Sequence, residues 1–392
     1  MTDIIASENL TTCGIYAKRS LVITHGNGAL LFDDKGNEYI DCVGGQGVAN
    51  LGHAHPAVAA AIAEQAQKLI TCPEMFYNDQ RAALQTELLK LAPASASQRV
   101  FLCNSGTEAV EAALKFVRYS TGRRQIIAAM RGFHGRTMGA LSATWNKKYR
   151  EAFEPLVGDF THIPYNNPQK IREAVTENTA AVILEVVQGE GGVYPGSAEF
   201  LLAAQEACRQ SGALLIIDEV QTGVGRTGKM FALEHYNLQP DLVCAAKSLA
   251  GGIPMGTVLI GERVKPFTPG LHGSTFGGNP LACAASLAVL AALKNDHLIE
   301  QAAEKSAYLM QKLQAINSPL IREVRGLGLL VGIEIKQKVA PYLQALTERG
   351  VLALSAGMNV IRLLPPLVIS YPQLDRVVET LDEVLHAELT AE

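Results

Sequence analysis

Asp218 and Lys247 are the two residues whose types and positions most plainly suggest joint chemistry. Each follows a short, continuously apolar run, Ala213–Ile217 and Leu242–Ala246. Runs of that length without polar interruption are how strands buried on both faces of a parallel sheet read. Ligands of α/β proteins gather where such strands end, so two neighbouring ends would present a carboxylate and an amine to one crevice. A lysine in a partly apolar crevice loses some preference for its charged form, and its free amine can condense with a carbonyl. An aspartate nearby can keep a pyridine nitrogen protonated, which lets the ring act as an electron sink. Those are the needs of pyridoxal phosphate, with Gln221 in reach of a ring hydroxyl. Two other readings stay open at this point. A lysine after a strand is often a solvated loop residue, and Gly223-Val-Gly225-Arg-Thr-Gly228 fits the GxGxxG pattern of dinucleotide sites. Its first glycine, however, falls well past Asp218 rather than at the strand end.

Other stretches carry candidate groups. Asn104-Ser-Gly-Thr-Glu108 joins the apolar run Val100–Cys103 to a helical pattern, Ala109–Arg118. Ser105 and Glu108 read as a capping box, and the same helix start offers free amides to a phosphate at Ser105, Gly106 and Thr107. In Met130-Arg-Gly-Phe-His-Gly-Arg136, Phe133 suits stacking on a flat heteroaromatic ring and Arg136 suits a substrate carboxylate. Glu185 interrupts the run Ala181–Val187, and Glu190 follows in Gln188-Gly-Glu-Gly-Gly. An acid near the end of a buried strand needs a partner, which makes both candidates for the crevice. His272-Gly-Ser-Thr-Phe-Gly-Gly-Asn-Pro280 brings Ser274 and Thr275 to a helix start, and Arg362 is a lone charge in a strand-like run. His53 and His55, in a Gly/Pro loop without a cysteine or carboxylate beside them, read as a turn rather than a metal site.

The elements that must position these residues follow from the same patterning. Apolar runs alternate with amphipathic stretches from Val100 to Ile260, through Ile126–Met130 and Thr257–Ile260, which predicts βα units around a mainly parallel sheet. Leu21–Asp41 carries a hairpin signal around Asp33–Asn37. Helical patterns cover Ala57–Ile70, Leu281–Lys294, Leu298–Ile316 and Gln373–Leu389, with strand-like segments at Leu329–Ile335 and Val360–Leu364. The reading is an α/β large domain over 46–289 and a smaller α+β domain built from 1–45 and 290–392. With 392 residues and 48% hydrophobic content the chain can bury a large core, and a net charge of −4 gives no footprint for nucleic acid. Seven scattered cysteines without a CxxC pair fit a reduced cytoplasm. No stretch has the length of a membrane span, and the first residues lack the pattern of a signal peptide.

Asn104–Glu108, Gly132–Arg136, Gln188–Gly192, Asp218–Gln221, Lys247 and Gly273–Pro280 occur together and in the order of one family. The chain resembles the class III (ω-) aminotransferases of pyridoxal-phosphate fold type I over nearly its whole length. Within them it is similar to acetylornithine aminotransferases. It is closer to those acting on lysine attached to an acidic amino-group carrier protein, LysW, through Tyr39-Ile-Asp-Cys-Val-Gly-Gly, Ala128-Ala-Met-Arg-Gly-Phe and Thr144-Trp. The resemblance implies that Lys247 carries the cofactor as a Schiff base and then shuttles a proton as the freed amine. It implies that Asp218 pairs with the ring nitrogen, Gln221 with the ring oxygen, and that Phe133 stacks on the ring. Glu219 and Val220 belong to the same cofactor-binding run. Ser105, Gly106 and Thr107 would hold the phosphate with Thr275 of a second subunit, making the active unit a homodimer with shared sites. On the substrate side it implies Arg136 for a distal carboxylate, Arg362 for the α-carboxylate of glutamate, Glu190 as a screen over Arg362, and Ser274 and Gln46 as further contacts. Leu30 and Gln46 stand where ornithine δ-aminotransferases have tyrosines, which argues against free ornithine as substrate.

Overall fold

In the computed structural model, residues 3–387 are described. Seven strands form the central sheet, in the order Arg99–Cys103, Gly256–Ile260, Leu242–Ala245, Leu214–Asp218, Thr179–Glu185, Gln125–Ala129 and Phe160–Ile163. The last five are parallel, and Gly256–Ile260 is antiparallel to both neighbours. This is the α/β, mainly parallel sheet that the apolar runs predict. Thr179–Glu185 and Leu214–Asp218 are buried at every residue, so neither shows polar alternation. Their register sets Cys244, Asp218 and Glu185 side by side at one rim. Phe160–Ile163 has no counterpart in the sequence reading. It is a half-exposed edge strand of four residues, too short and too polar on one side to stand out.

Helix Gly106–Thr121 lays Ala109, Val110, Ala113, Phe116 and Val117 on one face of the sheet. Pro280–Asn295, apolar on nearly every side, is enclosed by Pro56–Lys68 and Asp79–Leu91. The chain's two ends meet in smaller sheets. The predicted turn joins Leu30–Asp33 to Glu38–Asp41, with Asp33 Oδ1 accepting from the amides of Lys35 and Asn37 at 3.0 and 2.8 Å. Glu38–Asp41 then pairs in parallel with Val351–Leu352, so the N-terminal hairpin packs with the C-terminal part of the chain. A second antiparallel sheet, Ile321–Leu327, Leu330–Ile335, Val360–Leu363 and Leu354–Ser355, carries Arg362. The last helix is Tyr371–His386, opened by a Ser370–Gln373 capping box. Leu389, where its pattern was expected to end, lies outside the described residues.

Two glycine-rich stretches take shapes their composition did not specify. Gly44–Gly47 is a left-handed turn with φ of 54, 58, 61 and 82°, holding even Gln46 in that region. The GxGxxG segment does not line a crevice at a strand end. Val224, Gly225, Arg226 and Thr227 are buried, and the Arg226 guanidinium reaches out of the loop to other segments of the chain. That group donates to the carbonyls of Leu329 and Pro365 and to Oδ1 of Asn50. The dinucleotide reading fails on this packing, because nothing at the loop is open to a pyrophosphate. His53 bonds through Nε2 to Asp41 Oδ2 at 2.7 Å, while Asp41 Oδ1 receives the amides of Val43 and Gly44.

Candidate active site

A cavity of about 250 Å³ opens at the rim of the central sheet, lined by Gly106, Thr107, Phe133, His134, Gly135, Arg136, Glu185, Glu190, Asp218, Val220, Gln221 and Lys247. Asp218 and Glu185 end adjacent strands, and Lys247 follows the next one over. Lys247 adopts φ of 45° at the start of a tight turn, which swings its side chain into the cavity. Burial lowers its pKa from the ordinary lysine value, against the opposing pull of Glu190 and Asp218, so the neutral amine is more accessible than in water.

Asp218 is held from two sides. Its Oδ1 accepts from the Val220 amide at 3.1 Å, and Oδ2 lies 2.7 Å from Nδ1 of His134. His134 is 3% exposed, and its backbone amide donates to Thr144 Oγ1. Burial by itself would lower the imidazole's pKa, but the Asp218 hydrogen bond and charge outweigh it and hold the ring above the usual value. Its Nε2 has no partner among the described residues. Sequence reasoning named the residues on either side, Phe133 and Arg136, and missed His134. The one available signal was an ionisable group inside a stretch already singled out.

At the far side of the cavity, Arg362 Nη1 donates to Glu190 Oε1 at 2.6 Å and to Gln221 Oε1 at 3.3 Å. Arg362 is almost sealed from water, whereas the Glu190 side chain keeps 31% of its surface exposed. Burial pushes Glu190 up, but the Arg362 charge and hydrogen bond prevail and its pKa falls below the ordinary glutamate value. A Cβ on Gly189 would overlap Oε1 of Gln221, so any larger residue there would displace the Gln221 side chain. Phe133 meets Tyr149 edge-on with centroids 6.0 Å apart, and the Arg136 guanidinium lies 3.6 Å above the Tyr149 ring.

The helix start at Ser105–Thr107 forms half of the expected capping box, because the Glu108 carboxylate accepts from the Asn104 amide at 2.6 Å rather than from that of Ser105. Ser105 Oγ accepts from the Glu108 amide at 3.2 Å, so its side chain serves the cap. The first-turn amides of Gly106 and Thr107 have no intrahelical acceptor, and a Cβ on Gly106 would meet Val220 Cγ1 at 2.6 Å. These features fit a flat heteroaromatic aldehyde with a phosphate. One end supplies an amine and the other a helix start bare of side chain; between them stand a phenyl ring and an imidazole-fixed carboxylate.

Six sequence candidates are not among the residues lining this cavity: Ser105, whose hydroxyl serves the helix cap, Arg362, which meets the lining through Glu190 and Gln221, and Glu219, Ser274, Thr275 and Gln46. Glu219 turns to the other side of the rim, where its carboxylate accepts from Thr222 Oγ1 and the Leu233 amide, and burial pushes it up to about 7. Ser274 Oγ accepts from Asn104 Nδ2 at 3.0 Å. Thr275 is exposed on the same loop, and Gln46 is exposed on its left-handed turn. That turn is tied to the lysine loop, since Ser248 Oγ donates to the Gly47 carbonyl at 2.8 Å.

Residues 15–385 match the family described as aminotransferase class-III. The chain is 52% identical to a LysW-aminoadipate semialdehyde transaminase of Deinococcus radiodurans, over 97% of this chain and 90% of that one. It is 45% identical to an acetylornithine aminotransferase of Methanothermobacter thermautotrophicus, over 98% of each. Among solved structures it is similar to the ornithine aminotransferase of Toxoplasma gondii, at 33% identity and a TM-score of 0.93, covering 97% of this chain and 94% of that one. The cavity's donor set, the family match and these near full-length similarities agree: the chain belongs to the class-III aminotransferases and is a transaminase that uses pyridoxal phosphate.

Proposed function

We propose that the enzyme moves the ω-amino group of an α-blocked basic amino acid to 2-oxoglutarate, and in the biosynthetic direction takes it from glutamate. The substrate is lysine or its semialdehyde on a carrier protein, or N2-acetylornithine, in line with the activities named for the Deinococcus and Methanothermobacter relatives. The observation that carries this reading is the Arg362–Glu190 pair. With Glu190 across it, Arg362 offers no free charge, and that end of the cavity suits a terminal primary amine. With Glu190 turned aside, the guanidinium takes the α-carboxylate of glutamate bidentately. An N-blocked α-amine also cannot cyclise onto the ω-aldehyde.

Pyridoxal phosphate, when bound, supplies the electron sink that makes a proton on the amine-bearing carbon removable. In our reading Lys247 Nζ takes and returns that proton, its neutral form favoured by burial. Asp218 holds the proton on the ring nitrogen, and His134 fixes the Asp218 carboxylate through Nδ1. Gln221 reaches the ring oxygen, Phe133 covers a ring face, and Gly106 and Thr107 take the phosphate. Arg136 receives the substrate's distal carboxylate.

The exposed basic residues Lys147 and Lys148 share a short helix with Tyr149, whose ring supports Arg136 at the cavity wall. We assign Lys147, Lys148 and Arg150 to the rim an acidic carrier meets. The exposed loop bearing Thr275 and Phe276, together with exposed Met75, Phe76 and Tyr77, supports a homodimer in which Thr275 of a second copy closes the phosphate end. We place the enzyme in the cytoplasm. No single helix among the described residues is long and apolar enough to cross a membrane.

Single-turnover conversion of the cofactor-loaded enzyme by glutamate, N2-acetylornithine, free ornithine, 4-aminobutyrate and carrier-linked lysine tests the proposal. Fast reaction with glutamate and carrier-linked lysine, with N2-acetylornithine far behind, assigns the carrier pathway. Comparable rates with N2-acetylornithine assign an arginine-pathway or dual enzyme. Preference for free ornithine or 4-aminobutyrate overturns the reading.

A further inference from the structure

Glu185 lines the cavity without any role in the scheme above. It ends the fully buried strand Thr179–Glu185, its Cα partner across the sheet is Asp218, and its own carbonyl is fixed by the Tyr165 hydroxyl at 2.9 Å. Its two carboxylate oxygens serve two different loops. Oε1 accepts from the Phe133 amide at 2.9 Å, and Oε2 accepts from the Gly189 amide at 3.3 Å. Phe133 carries the proposed ring-covering side chain, and Gly189 precedes Glu190, the proposed screen over Arg362. A second tie joins the same loops, from Gln188 Nε2 to the Met130 carbonyl at 2.9 Å.

We infer that Glu185 is a positioning residue, whose ionised carboxylate spans the Phe133 loop and the Glu190 loop and thereby holds Glu190 over Arg362 when an ω-amine substrate is bound. Two N–H donors aimed at two separate oxygens require acceptors on both, which an ionised carboxylate supplies and a carboxamide does not. A carboxamide at this place would set an N–H₂ against one of the two amides. The inference rests on the proposed reading of Glu190 and Arg362 and extends it to a residue that touches neither.

The environment makes this clamp sensitive to pH. Burial pushes Glu185 up to about 7; Asp218 adds to the rise, and His134 and the two amides oppose it. The charged and titratable groups facing it are Asp218 and His134 at the rim, Lys247 across the cavity and Tyr165 behind the strand. Below about pH 7 the carboxyl gains a proton and one of the two acceptor contacts weakens.

The test is the ratio of kcat/KM for the ω-amine donor to that for glutamate, measured with the holoenzyme from pH 6 to 8. Taking the ratio cancels the proton chemistry at Lys247 that both donors share. The wild type should show this ratio rising with pH through about 7. Glu185→Gln should lower it by about ten-fold at pH 8, the size expected for one charge-assisted hydrogen bond, and make it flat with pH. Glu185→Asp, which keeps the charge on a shorter arm, should recover part of the loss. A wild-type ratio that is flat over this range, or a Glu185→Gln ratio equal to the wild type's, overturns the inference. The wild-type series decides the matter alone if the variant does not fold. Glu190→Gln separates the two levels. If it leaves the ratio unchanged, the screening role of Glu190 is wrong; if it shifts the ratio while Glu185→Gln does not, only the clamp is wrong.

Discussion

Arg226 and Arg362 are both nearly sealed from water, yet they are held in opposite ways. Arg226 donates to two main-chain carbonyls and one asparagine oxygen, all neutral and fixed by the fold. Burial pulls its pKa down to about 10, with Asp41 opposing. Arg362 has a carboxylate and a carboxamide for partners, both on the wall of a cavity, and the carboxylate is partly open. A guanidinium bound to carbonyls joins chain segments and cannot exchange them for a ligand. One bound to a carboxylate beside a cavity can trade that partner for another carboxylate, because the incoming group brings the same charge and the same two oxygens. The pair teaches that burial of a charge does not by itself mark function; the replaceability of its partner does.

Substitution should separate the two. Arg226→Met removes the donor from three buried acceptors, and at roughly 1–3 kcal/mol for each one left bare the loss of stability should be about 3 kcal/mol or more. Urea denaturation of the variant should show that loss, while activity per folded molecule stays near the wild type's. Arg362→Met should do the reverse. Removing one member of a buried charge pair costs about 2–5 kcal/mol where the pair binds its ligand, so kcat/KM for glutamate should fall about 10²-fold or more. The ω-amine half-reaction should fall much less. Equal losses with both donors would erase the distinction drawn between the two arginines.

The same contrast explains how much could be read from the chain. The strands behind Asp218 and Lys247 were legible because burial on both faces leaves unbroken apolar runs, and the first polar residue then marks the rim. Glu219 was not, although it adjoins Asp218. Strand alternation sends neighbouring side chains to opposite sides, and which of two adjacent acids faces the cavity depends on the sheet. His134 was hidden because its partner lies two strands away in space and far along the sequence, a proximity set by strand order alone. Arg226 misled by composition, since the glycines around it serve close packing rather than a phosphate: a Cβ on Gly228 would sit 2.9 Å from that of Ala303. Gly44–Gly47 is too glycine-rich to form a regular element on its own, but its left-handed course and its tie to Ser248 follow from packing.

Arg136 extends the comparison to a third way of holding a guanidinium. It is exposed, it lies 3.6 Å above the Tyr149 ring, and it makes no ion pair among the described residues. A ring face supports the plane of the group and leaves its N–H edge free, the arrangement a bidentate carboxylate requires. The ring therefore orients Arg136 without competing for its ligand, unlike the carbonyls on Arg226 or the carboxylate on Arg362. Tyr149→Leu should free the side chain to wander at a cost of about 0.5–1 kcal/mol, the strength of a cation–π contact at an exposed site. On the proposed reading this appears as a rise of a few-fold in KM for the substrate bearing the distal carboxylate. The kcat should hold, because Lys247 and Asp218 are untouched. Tyr149→Phe keeps the ring face and should keep the wild-type KM. If Tyr149→Leu lowers kcat and leaves KM alone, the stack positions something other than a substrate carboxylate, and Arg136 no longer belongs to the comparison.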